Sequence, residues 1–319
     1  MPGTQRRITL RFLAAPTDAN VRGRVDGGKA LEWIDKAGYA CAVGWAGTYC
    51  VTSYVGNVHF TRPVNVGDVV EVDARIVYVG RTSLQVVCTV SSGDVRDERL
   101  RINTQCLLQF VAMDENGRPT EVPPWQPEDD WERAENERAL RISELRRKID
   151  AELAKHTYSE NTASCRETLR FLAAPSDVNW GGKVHGGYVM HWIDEAARIV
   201  AERWHQGPAI AVYAGGVRFY RPLHIGDLVE VEARLIHTGH SSMHISVHVR
   251  GGDPRTRVLE TTTHCTMVYV ALDAEGNKVH VRSWNPQLPE DLELQEHAKQ
   301  IIDYRSVLLR KDPVGYSDR

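Results

Sequence analysis

Two aspartates, Asp35 and Asp194, each close a Trp-Ile-Asp sequence within a stretch whose apolar residues recur at helical spacing. In the first stretch these are Ala30, Trp33, Ile34, Ala37 and Cys41, and in the second Val189, Trp192, Ile193, Ala196 and Val200. The residues four before and three after each acid are Leu31 and Gly38, or Met190 and Ala197, so each carboxylate shares its helix face with uncharged neighbours. A carboxyl group held there is expected to have a raised pKa and room beside it for a small ligand; the alternative is an ion pair or cap on a neighbouring element. A Gly-Gly pair opens each helix, Gly27-Gly28 and Gly186-Gly187. A helix start offers unpaired N–H groups and the positive end of the dipole, and glycine admits a substrate carbonyl close to the backbone. Gly28 and Gly187 are therefore either oxyanion donors for acyl transfer or merely the end of a turn. Asn20 and Asn179, each in an Asp-x-Asn sequence, either position a water or cap the loop as an Asx-turn.

These features occur twice because the chain does. Leu10–Asn20 (LRFLAAPTDAN) recurs as Leu169–Asn179 (LRFLAAPSDVN), an offset of 179 − 20 = 159. The offset holds without a gap from Phe12–Pro127 to Phe171–Pro286, carrying Asp35 onto Asp194, Gly67 onto Gly226, Cys106 onto Cys265 and Trp125 onto Trp284. A solenoid repeats every 20–50 residues or so. A period this long marks a duplicated domain.

Within one unit the pattern predicts a strand over Arg7–Leu13, a Pro/Asp/Asn/Gly-punctuated loop, the helix, and then strands only: CVTSYVGNVHF, VVEVDARIVYVG, TSLQVVCTV and LRINTQCLLQFVAM. One long helix with five strands implies an α+β unit, an antiparallel sheet wrapped around a central helix. The division is residues 1–127 as the first domain, 128–160 as a charged linker helix with Ile142, Leu145, Ile149 and Leu153 at helical spacing, 161–287 as the second domain, and 288–319 as a helical tail.

At 319 residues, with 42% hydrophobic and 25% charged residues, each half can bury its own core. A net charge of −3 gives no whole-molecule attraction to nucleic acid or an anionic membrane, so an anionic ligand must meet a local basic patch. No apolar run approaches the roughly 18–20 residues that span a bilayer. The N-terminal MPGTQRRITL lacks an apolar segment of the signal-peptide kind, and six cysteines without a CxxC pair read as reduced thiols, so a cytoplasmic location is expected. Cys88, Cys106 and Cys265 read as small buried hydrophobes. There is no GxSxG elbow, no HExxH and no Cys/His ligand cluster, so no metal is expected; His237, His240, His244 and His248 read as exposed strand positions.

The segments PSDVNWGGKVHGGYVMHWIDEAA, VRFYRPLHIGDLVEV and TGHSS, with copy-one counterparts PTDANVRGRVDGGKALEWIDKAG, VHFTRPVNVGDVVEV and VGRTS, closely resemble the acyl-CoA hydrolase branch of the hotdog-fold thioesterases. The resemblance covers both repeats and implies a tandem double hotdog hydrolysing acyl-CoA to CoA and a carboxylic acid, with no metal or redox cofactor. It also implies that the copies pair side by side with composite sites, Asn20 with Asp194 and Asn179 with Asp35. Asp35 and Asp194 then serve as general bases that activate water, with direct nucleophilic attack as a variant, Gly28 and Gly187 as carbonyl donors, and Asn20 and Asn179 as orienting groups. Arg81, Thr82 and Ser83 with Ser241 and Ser242 line the pantetheine path, and Arg62 and Arg221 either meet CoA phosphates or are surface strand ends. His185 stands at the family's usual His or aromatic position, where copy one has Asp26; that acid opposes oxyanion formation and marks the Asn20/Gly28 site as the weaker. Relatives often join three such units, so a trimer is expected. A hotdog enoyl-CoA hydratase and a non-catalytic acyl-CoA sensor are the alternatives.

Overall fold

The computed structural model describes residues 2–19, 23–56, 58–97, 99–153, 159, 161–179 and 181–311. In the first copy β1 (Arg7–Leu13) and a short 3-10 turn precede α1 (Gly27–Ala46), followed by β2 (Cys50–Val55), β3 (Val58–His59), β4 (Asp68–Val79), β5 (Ser83–Asp94) and β6 (Arg101–Ala112). The charged helix α2 (Asp130–Leu153) leads to β7 (Arg166–Leu172), α3 (Gly186–His205), β8 (Ala209–Phe219), β9 (Leu228–Thr238), β10 (Ser242–Gly252), β11 (Glu260–Ala271) and α4 (Pro289–Lys311).

The strands form one antiparallel sheet in the order β1-β4-β5-β6-β2-β8-β11-β10-β9-β7, with β3 also paired to β8. The copies therefore meet edge to edge, with Tyr54 opposite Arg218 and Val55 opposite Val217 across β2 and β8. They also meet helix to helix, α1 against α3, and the two apolar faces merge into a single buried core. All six cysteines are unbonded, five of them buried. The expected CVTSYVGNVHF strand is broken into β2 and β3. Gly56 approaches the neighbouring strand, its N–H donating to Leu107 O at 2.7 Å, and a Cβ there would fall 2.8 Å from that oxygen.

Helices α2 and α4 begin 159 residues apart, at Asp130 and Pro289, and each lies on its own copy's outer sheet face. Under α2, Ala139 packs on Val77 and Val87, Gln85 bonds Ser143 and Arg138 bonds Gln105. Under α4, Leu294 and Ala298 cover Ile236. This corrects the reading of the strand histidines: His240 is exposed, but His244 is buried and His237 and His248 are half-buried, because a covering helix turns an outward strand face inward. Leu145, Ile149 and Leu153 lie outside the residues whose side chains are described.

Candidate active site

Each helix start lies against the flank of the other helix. A Cβ on Gly187 would come 2.8 Å from Glu32 Cα, and one on Gly28 would come 2.8 Å from His191 Cα, so glycine is what lets the backbones approach. The approach puts each aspartate at the other copy's helix N-terminus. Gly187 N–H donates to Asp35 Oδ2 at 2.9 Å, and Gly28 N–H donates to Asp194 Oδ2 at 2.9 Å. The donors expected to face a substrate oxygen are thus held by carboxylates, since a positive dipole end takes the nearest anion.

Beyond that shared frame the two acids differ. Around Asp35, Thr52 Oγ1 donates to Oδ1 at 2.7 Å, and His185 Nδ1 stands 2.8 Å from Oδ2. Asn179 comes to the same place from the second copy's loop: its Oδ1 accepts from Gly181 and Lys183 N–H, and its Nδ2 donates to Tyr49 Oη at 3.0 Å. It is therefore at once an Asx-type loop cap and a cleft residue. These side chains line a cleft of about 410 Å³ between the copies, whose wall also includes Tyr39, Val51, Val189 and Phe219.

Around Asp194, Tyr269 fills the place of Thr52: its hydroxyl donates to Asp194 Oδ1 and lies 2.9 Å from Asp194 O. At the matched positions Thr52 becomes Ala211, His185 is matched by Asp26, and Tyr49 becomes Pro208. Burial raises the Asp194 carboxyl pKa and Asp26 adds to it, while hydrogen bonds from Tyr269 and Gly28 only partly offset them. At His185 burial favours the neutral ring, but the Asp35 charge and hydrogen bond outweigh it and leave the imidazole above its ordinary value.

Among the expected residues the fold brings together Asp35, Asn179, His185 and Gly187 from both copies. Asn20 lies outside the described residues. Arg221 is in the cleft wall, ion-paired with exposed Glu260, whereas Arg62 is exposed and outside it. Arg81, Thr82, Ser83, Ser241 and Ser242 are not in that wall either; Thr82 O and Ser241 O instead accept from Ala112 and Ala271 N–H. Thr52 and Tyr49 belong to no sequence motif. The available signal was the mismatch with Ala211 and Pro208 at an otherwise faithful offset. Among the described residues no three His, Cys, Asp or Glu side chains are grouped to hold a metal ion, and no helix is long and apolar enough to cross a membrane.

Residues 23–98 and 181–258 each match the family described as the Thioesterase superfamily. The cytosolic acyl coenzyme A thioester hydrolase of Mus musculus is 27% identical over 310 residues, covering 92% of this chain and 81% of that protein. Acyl-CoA thioester hydrolase YciA of Salmonella typhimurium is 32% identical over 124 residues, covering 38% of this chain and 92% of its own length. A solved Lactobacillus plantarum protein, provisionally identified as an oleoyl thioesterase, superposes with a TM-score of 0.59 at 11% identity over 86% of this chain and 100% of that one, a likeness of fold alone.

Proposed function

The chain belongs to the thioesterase superfamily, and from that premise we propose that it hydrolyses acyl-CoA to CoA and a carboxylic acid chiefly in the cleft at Asp35. The observation that carries this reading is the convergence, from two copies, of Asp35, Thr52, His185 and Asn179 on one cleft beside the α3 N-terminus. Asp35 supplies the essential carboxylate of the reaction. Asn179, with one Nδ2 hydrogen on Tyr49, has a second for the thioester oxygen, and Gly187 N–H is the other carbonyl donor once it turns from Asp35. Arg221 at the cleft wall suits a CoA phosphate in exchange for Glu260. CoA enters only as part of the substrate, so the reaction needs no resident cofactor or metal. The word cytosolic in the mouse relative's name supports a cytoplasmic location.

The Asp194 site has an alanine for Thr52 and an aspartate for His185, and its carboxylate is taken up by Tyr269. Hydrolysis is followed as thiol release across a panel from butyryl- to palmitoyl-CoA, with crotonyl-CoA hydration run beside it. Asp35→Asn should lose roughly 10²–10⁴-fold in kcat, and Asp194→Asn should keep most of the activity. If Asp194→Asn proves the more damaging, the assignment of the working site is wrong. Hydration in place of thiol release would replace the reaction class itself.

A further inference from the structure

The wall of the Asp35 cleft has a cationic side and an uncharged one. Lys183 and Arg221 belong to the first, on segments joined through the backbone: Val184 N–H donates to Leu223 O at 2.9 Å, and Lys183 pairs with His224. The stretch formed by Tyr39, Tyr49, Cys50, Val51, Val111 and Met113 carries no charged side chain. A thioester carbonyl bound to the second Nδ2 hydrogen of Asn179 sits between the two, and its substituents must part there. Guanidinium and ammonium groups suit the phosphates of CoA, which leaves the uncharged stretch for the acyl chain.

That stretch is short. Tyr39 follows Asp35 by four residues on one face of α1, a single helical turn of about 5.4 Å. Its ring centroid lies 6.3 Å from that of Tyr49 and 6.4 Å from that of His185, tilted against both. Neither neighbour is loose, since Asn179 Nδ2 holds Tyr49 Oη at 3.0 Å and the buried His185 ring stands 2.8 Å from Asp35 Oδ2. Burial, then Tyr49 and Cys50 beside it, push the Tyr39 hydroxyl up to about 12, so this wall is uncharged at neutral pH. The whole cleft, about 410 Å³, must also hold the thioester and the inner end of CoA, and it is small among sites of about 300–1,000 Å³.

We infer that Tyr39 closes the acyl end of the Asp35 cleft and makes the enzyme selective for short acyl chains, butyryl to hexanoyl. The inference rests on the hydrolase reading above and adds its substrate class. One helical turn admits roughly four carbons of a zigzag chain with bonds of about 1.5 Å, and further methylenes meet the ring. A methylene too many in a hydrophobic pocket costs about 10–200-fold in kcat/KM. At the matched position copy two has Arg198, so only the Asp35 site has an aromatic stop there.

The test is kcat/KM for thiol release from butyryl-, hexanoyl-, octanoyl- and decanoyl-CoA. The wild-type protein should peak at butyryl or hexanoyl and fall about tenfold or more by decanoyl. Tyr39→Ala should raise the decanoyl-to-butyryl ratio about tenfold or more, and Tyr39→Leu should move it the same way. Both rates come from one preparation, so a loss of folded protein cancels in the ratio. Arg198→Ala should leave the ratio unchanged; a shift there would place chain selection at the Asp194 site and overturn the inference. A wild-type protein that turns over decanoyl-CoA within threefold of butyryl-CoA also overturns it, as does a ratio that stays within threefold in both Tyr39 variants. In each of those cases thiol release still upholds the hydrolase reading. A wild-type protein that releases thiol from no member of the panel removes both.

Discussion

At Asp35 a hydroxyl, a backbone N–H and an imidazole converge on one carboxylate, whereas at Asp194 a phenol and an N–H suffice. The difference lies in side chains that do not repeat. Asp35, Asn179 and Gly187 could be found in the sequence because their types and spacing recur, and His185 because it precedes the second Gly-Gly pair where Asp26 precedes the first. Tyr49 and Thr52 could not, because an isolated hydroxyl at a strand edge acquires meaning only once the partner copy's loop lands on it. Tyr49 is informative here. Its ring seats on Gly181, where a Cβ would fall 2.3 Å from Cζ, and its hydroxyl holds the Asn179 amide. Tyr49→Phe keeps the ring and removes one neutral hydrogen bond worth about 0.5–1.5 kcal/mol, so kcat should fall roughly threefold to tenfold with KM little changed. An unaltered kcat would show that Asn179 is held by Gly181 and Lys183 alone.

The elements were mostly legible from periodicity: α1 and α3 follow from their apolar spacing and Gly-Gly starts, and the strands follow from alternation. What covers each sheet was not, because a strand's outward residues look the same under solvent as under a helix. The consequence is largest beneath α4. Tyr78, Gln85, Thr89 and Gln105 of copy one become His237, His244, His248 and His264, and Arg138 of α2 becomes His297 of α4. His248 and His264 stack with centroids 4.0 Å apart, and Ser246 reaches His264 at 2.9 Å. Burial, then the His297 charge, lowers the His264 pKa to about 3. Burial also lowers His248 well below its ordinary value, helped by His264, Arg250 and Arg234, and it lowers His237 with help from Lys299. A depressed histidine is neutral in the fold and protonates on unfolding below about pH 6.5, so stability is full above that pH and declines as pH falls toward the folded value. Between pH 6.5 and 5, His264 alone should cost about 2 kcal/mol. Thermal unfolding across that interval should show a shallower acid decline in His264→Gln, which restores the copy-one residue; an identical slope would mean that the ring protonates without α4 moving.

For the whole molecule, duplication gives a chain with two copies of almost every surface. The ends of the single sheet are β1 and β7, whose outer backbone edges have no strand partner in the order described, and the matched residues Leu13 and Leu172 at their ends are 62% and 58% exposed. Open strand edges with apolar residues tend to find cover. The two edges belong to different copies, so a contact between the first copy of one chain and the second copy of the next is heterologous, and such contacts close into a ring or run on as a filament. Any closed ring leaves no end unmatched; among rings we expect the trimer that the resemblance to the hotdog-fold thioesterases implies. Three chains of 35.9 kDa give a particle of about 108 kDa by light scattering. Leu13→Lys with Leu172→Lys should shift that mass toward a single chain while leaving the Asp35 cleft, which is built within one chain, competent for thiol release. A wild-type mass near 36 kDa at micromolar concentration would remove the trimer without touching the composite site, since both copies that build it are covalently joined.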